Sequence, residues 1–284
     1  MAKIIDGKEI QAKILSLAQL EVEKLKSEGL VPCLAVIIVG NSPASRVYVN
    51  NKKKACEKIG IRSLEFALPE NTTMSELLSL IDELNSNNEV NGILCQLPLP
   101  QGLDEKAVIA AINPLKDVDC FHPENVGRIS SGTYTLLPCT PAGVMELLRY
   151  SNIEIEGKSC VIIGRSNIVG KPMAMLMLNA GATVTVCHSR TVDLKAHTQG
   201  ADIVIAAVGR PAFVSEDMIK PGAVVIDVGI NRSAQGVLCG DVDFEGVSQK
   251  ASYITPVPGG VGPMTIAMLM QNTIKATKVQ NKLS

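Results

Sequence analysis

From Ser159 onward the chain repeats one pattern: a short run of apolar, β-branched residues, a turn, then a brief helical stretch. The runs are SCVIIG (159–164), ATVTVCH (182–188), ADIVIAAVG (201–209) and AVVIDVGIN (223–231), about 20 residues apart. Helical connections this short suit a doubly wound sheet. The first run ends in Gly164-Arg165-Ser166-Asn167-Ile168-Val169-Gly170-Lys171-Pro172, and an apolar helix follows. A strand, a tight turn and a helix start in succession gather free N–H groups and the positive end of the helix dipole at one point. That point suits a pyrophosphate. The spacing is G-x-S-x-x-x-G, not G-x-G-x-x-G, so the strand before it and the repeats after it carry the weight. A plain turn that needs small residues is the alternative.

Roughly Ser159 to Asn231 therefore reads as a Rossmann-type dinucleotide-binding unit. The end of its second strand separates the two nicotinamide dinucleotides. NAD binders place an acidic residue there for the ribose 2′-hydroxyl, NADP binders a cation. Here the residues are Cys187-His188-Ser189-Arg190-Thr191. Ser189 can donate to a 2′-phosphate and Arg190 can pair with it. Arg165, inside the turn, is a second candidate, and Asp193 comes late for the acidic role. NADP is the favoured ligand. His188, His122 and His197 read as packing residues.

The first half has the same alternation at a longer period. CLAVIIVG (33–40), SLEFALP (63–69) and NGILCQLP (91–98) are nearly continuous apolar strands, about 30 residues apart, as expected of parallel strands covered on both faces. Helical stretches lie between them at 45–59 and 75–84, the second with Thr72 and Thr73 as cap candidates and Glu76 in its first turn. An opening helix spans about Gly7 to Glu28. From Pro114 to Pro141 the chain turns irregular and rich in Pro, Gly, Asn and Ser, a texture typical of functional loops or linkers. Thr140 and Pro141 suit the N-cap and first position of a helix over 142–150. A glycine-rich loop, TPVPGGVGPMT (255–265), precedes a last helix over about 263–278, and the Lys-rich end is expected to fray. The fold class is α/β: an N-terminal α/β catalytic domain and a doubly wound nucleotide domain, with a cleft between them.

Composition narrows the classes. Net charge is −1, which offers no electrostatic footprint for nucleic acid or an anionic membrane surface. The start MAKIIDGKEI carries no secretory signal, and no apolar run approaches a membrane span; a cytoplasmic protein is expected. The eight cysteines form no CxxC pair and lie at no metal-ligand spacing from a histidine. They read as buried thiols, with no metal site.

Several segments together resemble one family. They are Tyr48-Val49-x-x-Lys52, Gly92-Ile93-Leu94-Cys95-Gln96-Leu97-Pro98-Leu99-Pro100, Lys116-Asp117-Val118-Asp119, Pro138-Cys139-Thr140-Pro141, the Gly164–Pro172 turn and Pro258-Gly259-Gly260-Val261-Gly262-Pro263-Met264-Thr265. In that order, over essentially the full length, the chain resembles the bifunctional methylenetetrahydrofolate dehydrogenase/cyclohydrolase (FolD) family. The resemblance implies NADP-dependent oxidation of 5,10-methylenetetrahydrofolate to the methenyl cation and hydrolysis of that cation to 10-formyltetrahydrofolate, reactions of one-carbon metabolism. It implies tetrahydrofolate derivatives as ligands and a homodimer. Domains of 1–140 with 264–284 for folate and of 141–263 for NADP follow from it.

Oxidation of a carbon held between two nitrogens releases no proton, so it asks the protein mainly for orientation. Hydrolysis needs proton management, since water loses a proton and a ring nitrogen gains one. Tyr48 and Lys52 stand at i, i+4 on one helix face, which Ala55, Cys56 and Ile59 extend and which therefore looks buried. Three consecutive lysines are ordinarily a solvated face; the resemblance implies instead that Lys52 is catalytic and that Tyr48 stacks on the folate ring. Gln96 ends a strand, where ligands bind in open α/β sheets, and can hydrogen-bond Lys52 or the attacking water; an ordinary strand cap is the alternative. By resemblance Asp119, rather than Asp117, accepts from the pterin, with Leu97, Pro98, Pro258, Gly259 and Gly260 also at the substrate. On the cofactor side it implies Gly164, Arg165, Ser166, Ile168, Ser189, Arg190, Gly229, Ile230 and Thr265. One departure is Cys120, where the family has Gly; a positive φ there would strain a cysteine. A monofunctional dehydrogenase and a non-catalytic NADP-binding sensor are the competing readings; intact Lys52 and Gln96 disfavour the first, and intact Tyr48, Lys52, Gln96 and Asp119 the second.

Overall fold

The computed structural model describes residues 1–233 and 235–283, and only the backbone of Ala44; Ser284, the expected end of the folate-binding segment, lies outside the described residues. Along the chain come β1 (Lys3–Ile4), α1 (Gly7–Ser27), β2 (Cys33–Val39), α2 (Pro43–Ile59), β3 (Arg62–Leu68), α3 (Met74–Ser86) and β4 (Gly92–Cys95). Then follow α4 (Glu105–Ala111), α5 (Pro123–Ser130), α6 (Cys139–Tyr150), β5 (Ser159–Ile163), α7 (Gly170–Asn179), β6 (Thr183–Cys187), α8 (Leu194–Thr198) and β7 (Ile203–Ala206). β8 (Val224–Asp227), β9 (Asn231–Arg232), β10 (Leu238–Cys239), α9 (Phe244–Lys250), β11 (Tyr253–Ile254) and α10 (Val261–Gln280) complete it. By contacts the chain divides into a unit of 13–139 with 266–284 and a unit of 1–12 with 140–265.

In the 13–139 unit, β2 is the centre of a parallel sheet ordered β3-β2-β4. All seven residues of β2 are buried, the pattern of a strand covered on both faces. β3 does not follow the expected pattern: as an edge strand it leaves Arg62, Glu65 and Ala67 exposed. Beneath the sheet, Leu77, Ile81 and Leu84 of α3 pack with Ala35, Ile37, Ile93 and Val108. α3 starts at a capping box in which the Thr73 hydroxyl accepts from Glu76 N–H while the Glu76 carboxylate accepts from Thr73 N–H.

The 140–265 unit is a six-stranded parallel sheet ordered β1-β11-β8-β7-β5-β6. The chain steps from β5 outward to β6, then returns past β5 to β7. That reversal is the topological switch point at which doubly wound sheets bind nucleotides. Met1–Ala12 groups with this unit, not with the first-half residues, because β1 pairs with β11 (Lys3 opposite Tyr253, Ile4 opposite Ile254).

Three local readings change. α6 begins at Cys139, so Thr140 and Pro141 lie inside its first turn rather than at its cap. The irregular stretch 114–141 contains α5, which Pro123 opens and which His122 caps by accepting Glu124 N–H on Nδ1. The C-terminal segment is tied rather than frayed through Gln280, whose amide donates to Asn91 O and Leu115 O.

Candidate functional site

Lys52 stands one turn after Tyr48 on α2. Ser42 and Pro43 start this helix, and its inner face carries Val49, Ala55, Cys56 and Ile59, all buried. The Lys52 side chain follows that face inward and is 7% exposed, while Lys53 and Lys54 are exposed. Burying an ammonium is costly unless it finds partners. Its Nζ donates to Gln96 Oε1 at 3.0 Å, and the Asp119 carboxylate is the negative charge that feels it. Tyr48 behaves differently from its helical neighbour: the residue is 42% exposed.

Gln96 follows the last residue of β4. Its backbone N–H continues the sheet to Ile37 O at 2.8 Å. Its side-chain Nε2 donates to Leu97 O at 2.8 Å, so the carbonyl oxygen is left to Lys52. Leu97 and Pro98 come next, joined by a cis peptide.

Asp119 reaches this point because 116–118 runs beside β4: Ile93 N–H donates to Lys116 O at 2.7 Å and Ile93 bridges Asp117. The flanking residues have other duties. Lys116, buried, donates to Leu84 O and Asn87 O at the end of α3, and burial lowers its pKa. Asp117 accepts from His122 N–H at 2.7 Å and Asn125 Nδ2 at 3.0 Å and so anchors α5. Of the two aspartates, Asp119 is the one that feels the Lys52 charge. Burial pushes its carboxyl above the usual carboxylate range, and the Lys52 charge acts in the opposite direction. Two residues without a site role in the sequence analysis hold this segment. Asn272 of α10 donates to Val118 O at 2.8 Å and Leu137 O at 2.7 Å, and the Cys139 thiol donates to Val118 O. An Asn inside an apolar helix face was the available signal for the first.

Cys120 has φ +59°, in the left-handed region that favours glycine. Its side chain is buried, with the thiol donating to Leu136 O at 3.3 Å. The residue thus takes the strained backbone that the site requires and adds one weak hydrogen bond.

In the 140–265 unit, Gly164 follows β5 with φ +133°, and a Cβ there would lie 2.2 Å from Ala207 O at the end of β7. A Cβ on Gly170 would lie 2.2 Å from Gly164 O. The turn therefore closes only with glycine at both positions. Ser166 Oγ accepts from Val169 and Gly170 N–H (3.2 and 3.3 Å) at the start of α7. The N–H groups of Arg165 to Ile168 make no backbone hydrogen bond among the described residues, which is the donor set an anion needs. Arg165, Ser189 and Arg190 are exposed, and neither guanidinium has an ion pair among the described residues. Ser189 and Arg190 sit in a turn after β6 closed by His188, which accepts Arg190 N–H on Nδ1 and donates its own N–H to Thr191 Oγ1. Asp193 caps α8 by accepting Ala196 N–H. Ile168 and Ile230 are exposed apolar residues beside the turn and after β8. Thr265 Oγ1 pairs with Thr140 Oγ1 at 3.2 Å. Pro258, Gly259 and Gly260 form a loop that starts with a cis Val257–Pro258 bond; Gln11, unremarked in the sequence, donates to Pro263 O at 2.8 Å beyond it. The cradle of two glycines, free N–H groups and unpaired cations fits a phosphorylated dinucleotide.

Residues 5–119 match the family model of the tetrahydrofolate dehydrogenase/cyclohydrolase catalytic domain, and 138–281 match that of its NAD(P)-binding domain. The chain is 61% identical over 282 residues to the bifunctional protein FolD of Acetivibrio thermocellus, covering 99% of both chains. It is similar to the crystal structure of the bifunctional FolD enzyme of Campylobacter jejuni, with TM-score 0.97, 54% identity and 100% of both chains covered. Against the Trypanosoma brucei FolD structure, which is complexed with NADP and an inhibitor, the TM-score is 0.94 at 41% identity, with 99% of both chains covered.

Proposed function

The chain belongs to the tetrahydrofolate dehydrogenase/cyclohydrolase family, and from that premise we propose how its residues divide the work. The protein is a bifunctional enzyme, an NADP-dependent methylenetetrahydrofolate dehydrogenase and a methenyltetrahydrofolate cyclohydrolase. The unit of 13–139 with 266–284 takes the folate, and the unit that carries the Gly164 turn takes NADP.

When bound, NADP+ supplies the hydride acceptor for the first reaction. Gly164, Ser166 and Ile168 would hold its pyrophosphate side, Arg165, Ser189 and Arg190 would meet its 2′-phosphate, and Gly229, Ile230 and Thr265 would meet its other end. The methenyl product is stabilised by its own two nitrogens, so this step uses orientation rather than a proton-transfer residue. Tyr48 offers its exposed ring to the pterin. Asp119 accepts from the amino-pyrimidine edge as a paired carboxylate. Leu97, Pro98, Pro258, Gly259 and Gly260 line the substrate.

In the second reaction water attacks the cationic one-carbon bridge. Lys52, as the amine, takes the proton that the water sheds; the ammonium so formed gives one to the ring nitrogen that leaves, and the remaining hydroxyl proton departs as the formyl C=O forms. Gln96, its amide direction set by Leu97 O, holds the Lys52 ammonium and orients the water. The observation that carries this reading is the buried Lys52–Gln96 hydrogen bond beside Asp119. Mixing the protein with methylenetetrahydrofolate and NADP+, and following NADPH and methenyl absorbance together, tests it. NADPH should rise without lasting methenyl product. Accumulating methenyl product would reduce the protein to a monofunctional dehydrogenase, and no turnover would end the enzyme reading. Among the described residues no helix is long and apolar enough to cross a membrane. A cytoplasmic homodimer that binds neither nucleic acid nor membrane is part of the same proposal.

A further inference from the structure

Beyond β7 and β8, two buried aspartates hold backbone rather than ligand. Asp241 has no exposed surface. Its Oδ2 accepts from the N–H groups of Val208 at 2.6 Å and Gly209 at 3.0 Å. Its Oδ1 accepts from Arg210 N–H at 2.9 Å and Asn231 Nδ2 at 2.8 Å. Asp227, the last residue of β8, accepts on Oδ1 from Gly229 N–H and Asp241 N–H and on Oδ2 from Val242 N–H, each at 2.9 Å. Glycine makes room for both carboxylates. A Cβ on Gly229 would lie 2.3 Å from Asp241 Oδ1, and one on Gly240 would lie 1.9 Å from Asp227 Oδ2.

Two carboxylates withdrawn from water are tolerable only with such a density of donors, and the donors come from chosen places. Val208, Gly209 and Arg210 form the loop after β7, beginning one residue past Ala207, on which Gly164 packs. Gly229 and Asn231 flank Ile230 between β8 and β9, Asn231 being the first residue of β9. In an open α/β sheet these loops, at the carboxyl ends of the strands next to the switch point, border the nucleotide. A single carboxylate spans them.

We propose that Asp241 is a positioning residue for the dehydrogenase: its carboxylate sets the spacing between the 208–210 loop and the Gly229–Asn231 segment, and so shapes the wall against which NADP lies, with Asp227 holding Asp241 in place. The role rests on the reading of the Gly164 turn as the NADP site.

Two variants test it. Asp241→Asn keeps the shape but turns a donor toward backbone N–H groups. Asn231→Ala removes one donor to Asp241 and leaves the three backbone contacts. KM for NADP should rise roughly tenfold or more in the first and roughly threefold in the second, with a smaller change in kcat at saturating NADP and none in KM for methylenetetrahydrofolate. A loss of folded enzyme lowers kcat and leaves KM unmoved, so an unchanged KM for NADP in soluble Asp241→Asn overturns the proposal. If that variant does not fold, an unchanged KM in Asn231→Ala overturns it. Gly164→Ala separates the two layers, because its Cβ collides with Ala207 O and should abolish NADP binding. Retained binding there removes the site reading and the proposal with it. Lost binding there, with wild-type KM in both other variants, removes the positioning role alone.

Discussion

Replacing Lys52 with Met tests the core of the hydrolytic site, because the two side chains are similar in length and differ in charge and donors. Lys52 gives up one charge-assisted hydrogen bond to Gln96 Oε1, about 1.5–3 kcal/mol of stabilisation. The fold also escapes the cost of burying an ammonium, a comparable or larger opposing quantity. The thermal midpoint should therefore move little. The rate should move greatly. A positioned proton-transfer group contributes about 10²–10⁴-fold, or about 3–5 kcal/mol of barrier. With the cation gone, the Asp119 carboxyl, already raised by burial and restrained by Lys52, should rise further and weaken as an acceptor. The assay is decay of preformed methenyltetrahydrofolate, followed by absorbance with a buffer blank, beside KM for NADP in the dehydrogenase reaction. Hydrolysis should fall at least about a hundredfold while KM for NADP stays near wild type, since the Gly164 turn shares no residue with this site. Lys52→Arg keeps the charge and holds its proton too tightly to exchange it, so it should not rescue the rate. A folded Lys52→Met enzyme that hydrolyses within tenfold of wild type would refute the assignment.

Cys120 offers a test of backbone strain. Cys120→Gly relieves a left-handed conformation worth about 1–2 kcal/mol and loses a buried thiol of similar worth, for a net change within about 1 kcal/mol. Cys120→Ala loses the thiol and keeps the strain, so denaturant midpoints should rank Gly above Ala; the reverse order would show that φ +59° is not costly. Arg190→Ala should raise KM for NADP roughly tenfold or more and leave NAD unmoved, and equal effects on both cofactors would undo the 2′-phosphate role. Arg165→Ala in the same assay identifies which guanidinium carries the phosphate. Burial pushes the Asp227 carboxyl up to about 6. Between its unfolded value near about 4 and that point the native state holds a proton the unfolded chain has released. Its stabilising contribution is thus full below about pH 4, is lost as pH rises through 6, and is on the order of 3 kcal/mol. The midpoint difference between wild type and Asp227→Asn should turn against wild type from pH 4.5 to 7; a flat difference would refute the shift.

Elements with strong local pattern were legible in the chain. The strand runs of both halves, the α3 capping box and the glycine turn after β5 each follow from a few adjacent residues, because periodicity and turn chemistry act over short distances. So did the inner face of α2, since i, i+4 spacing puts Lys52 with Ala55, Cys56 and Ile59 whatever surrounds the helix. The family resemblance, which puts Gly where Cys120 stands, raised the question of a positive φ there, and Cys120 does take φ +59°.

Other features depend on partners far along the chain, and no local pattern encodes them. β1 is two residues long and exists because Tyr253 and Ile254 offer it an edge. β3 has the composition of a covered strand but takes an edge position, so its outward residues meet water. Asp117 and Asp119 look alike in the sequence; the bridge of Ile93 to Asp117 commits one to α5 and presents the other to Lys52. The Asp227–Asp241 knot joins residues 14 apart to a loop some 30 residues earlier. Nothing near either aspartate announces that pairing. Burial alone, created when the sheet assembles, turns two ordinary acids into fixed acceptors.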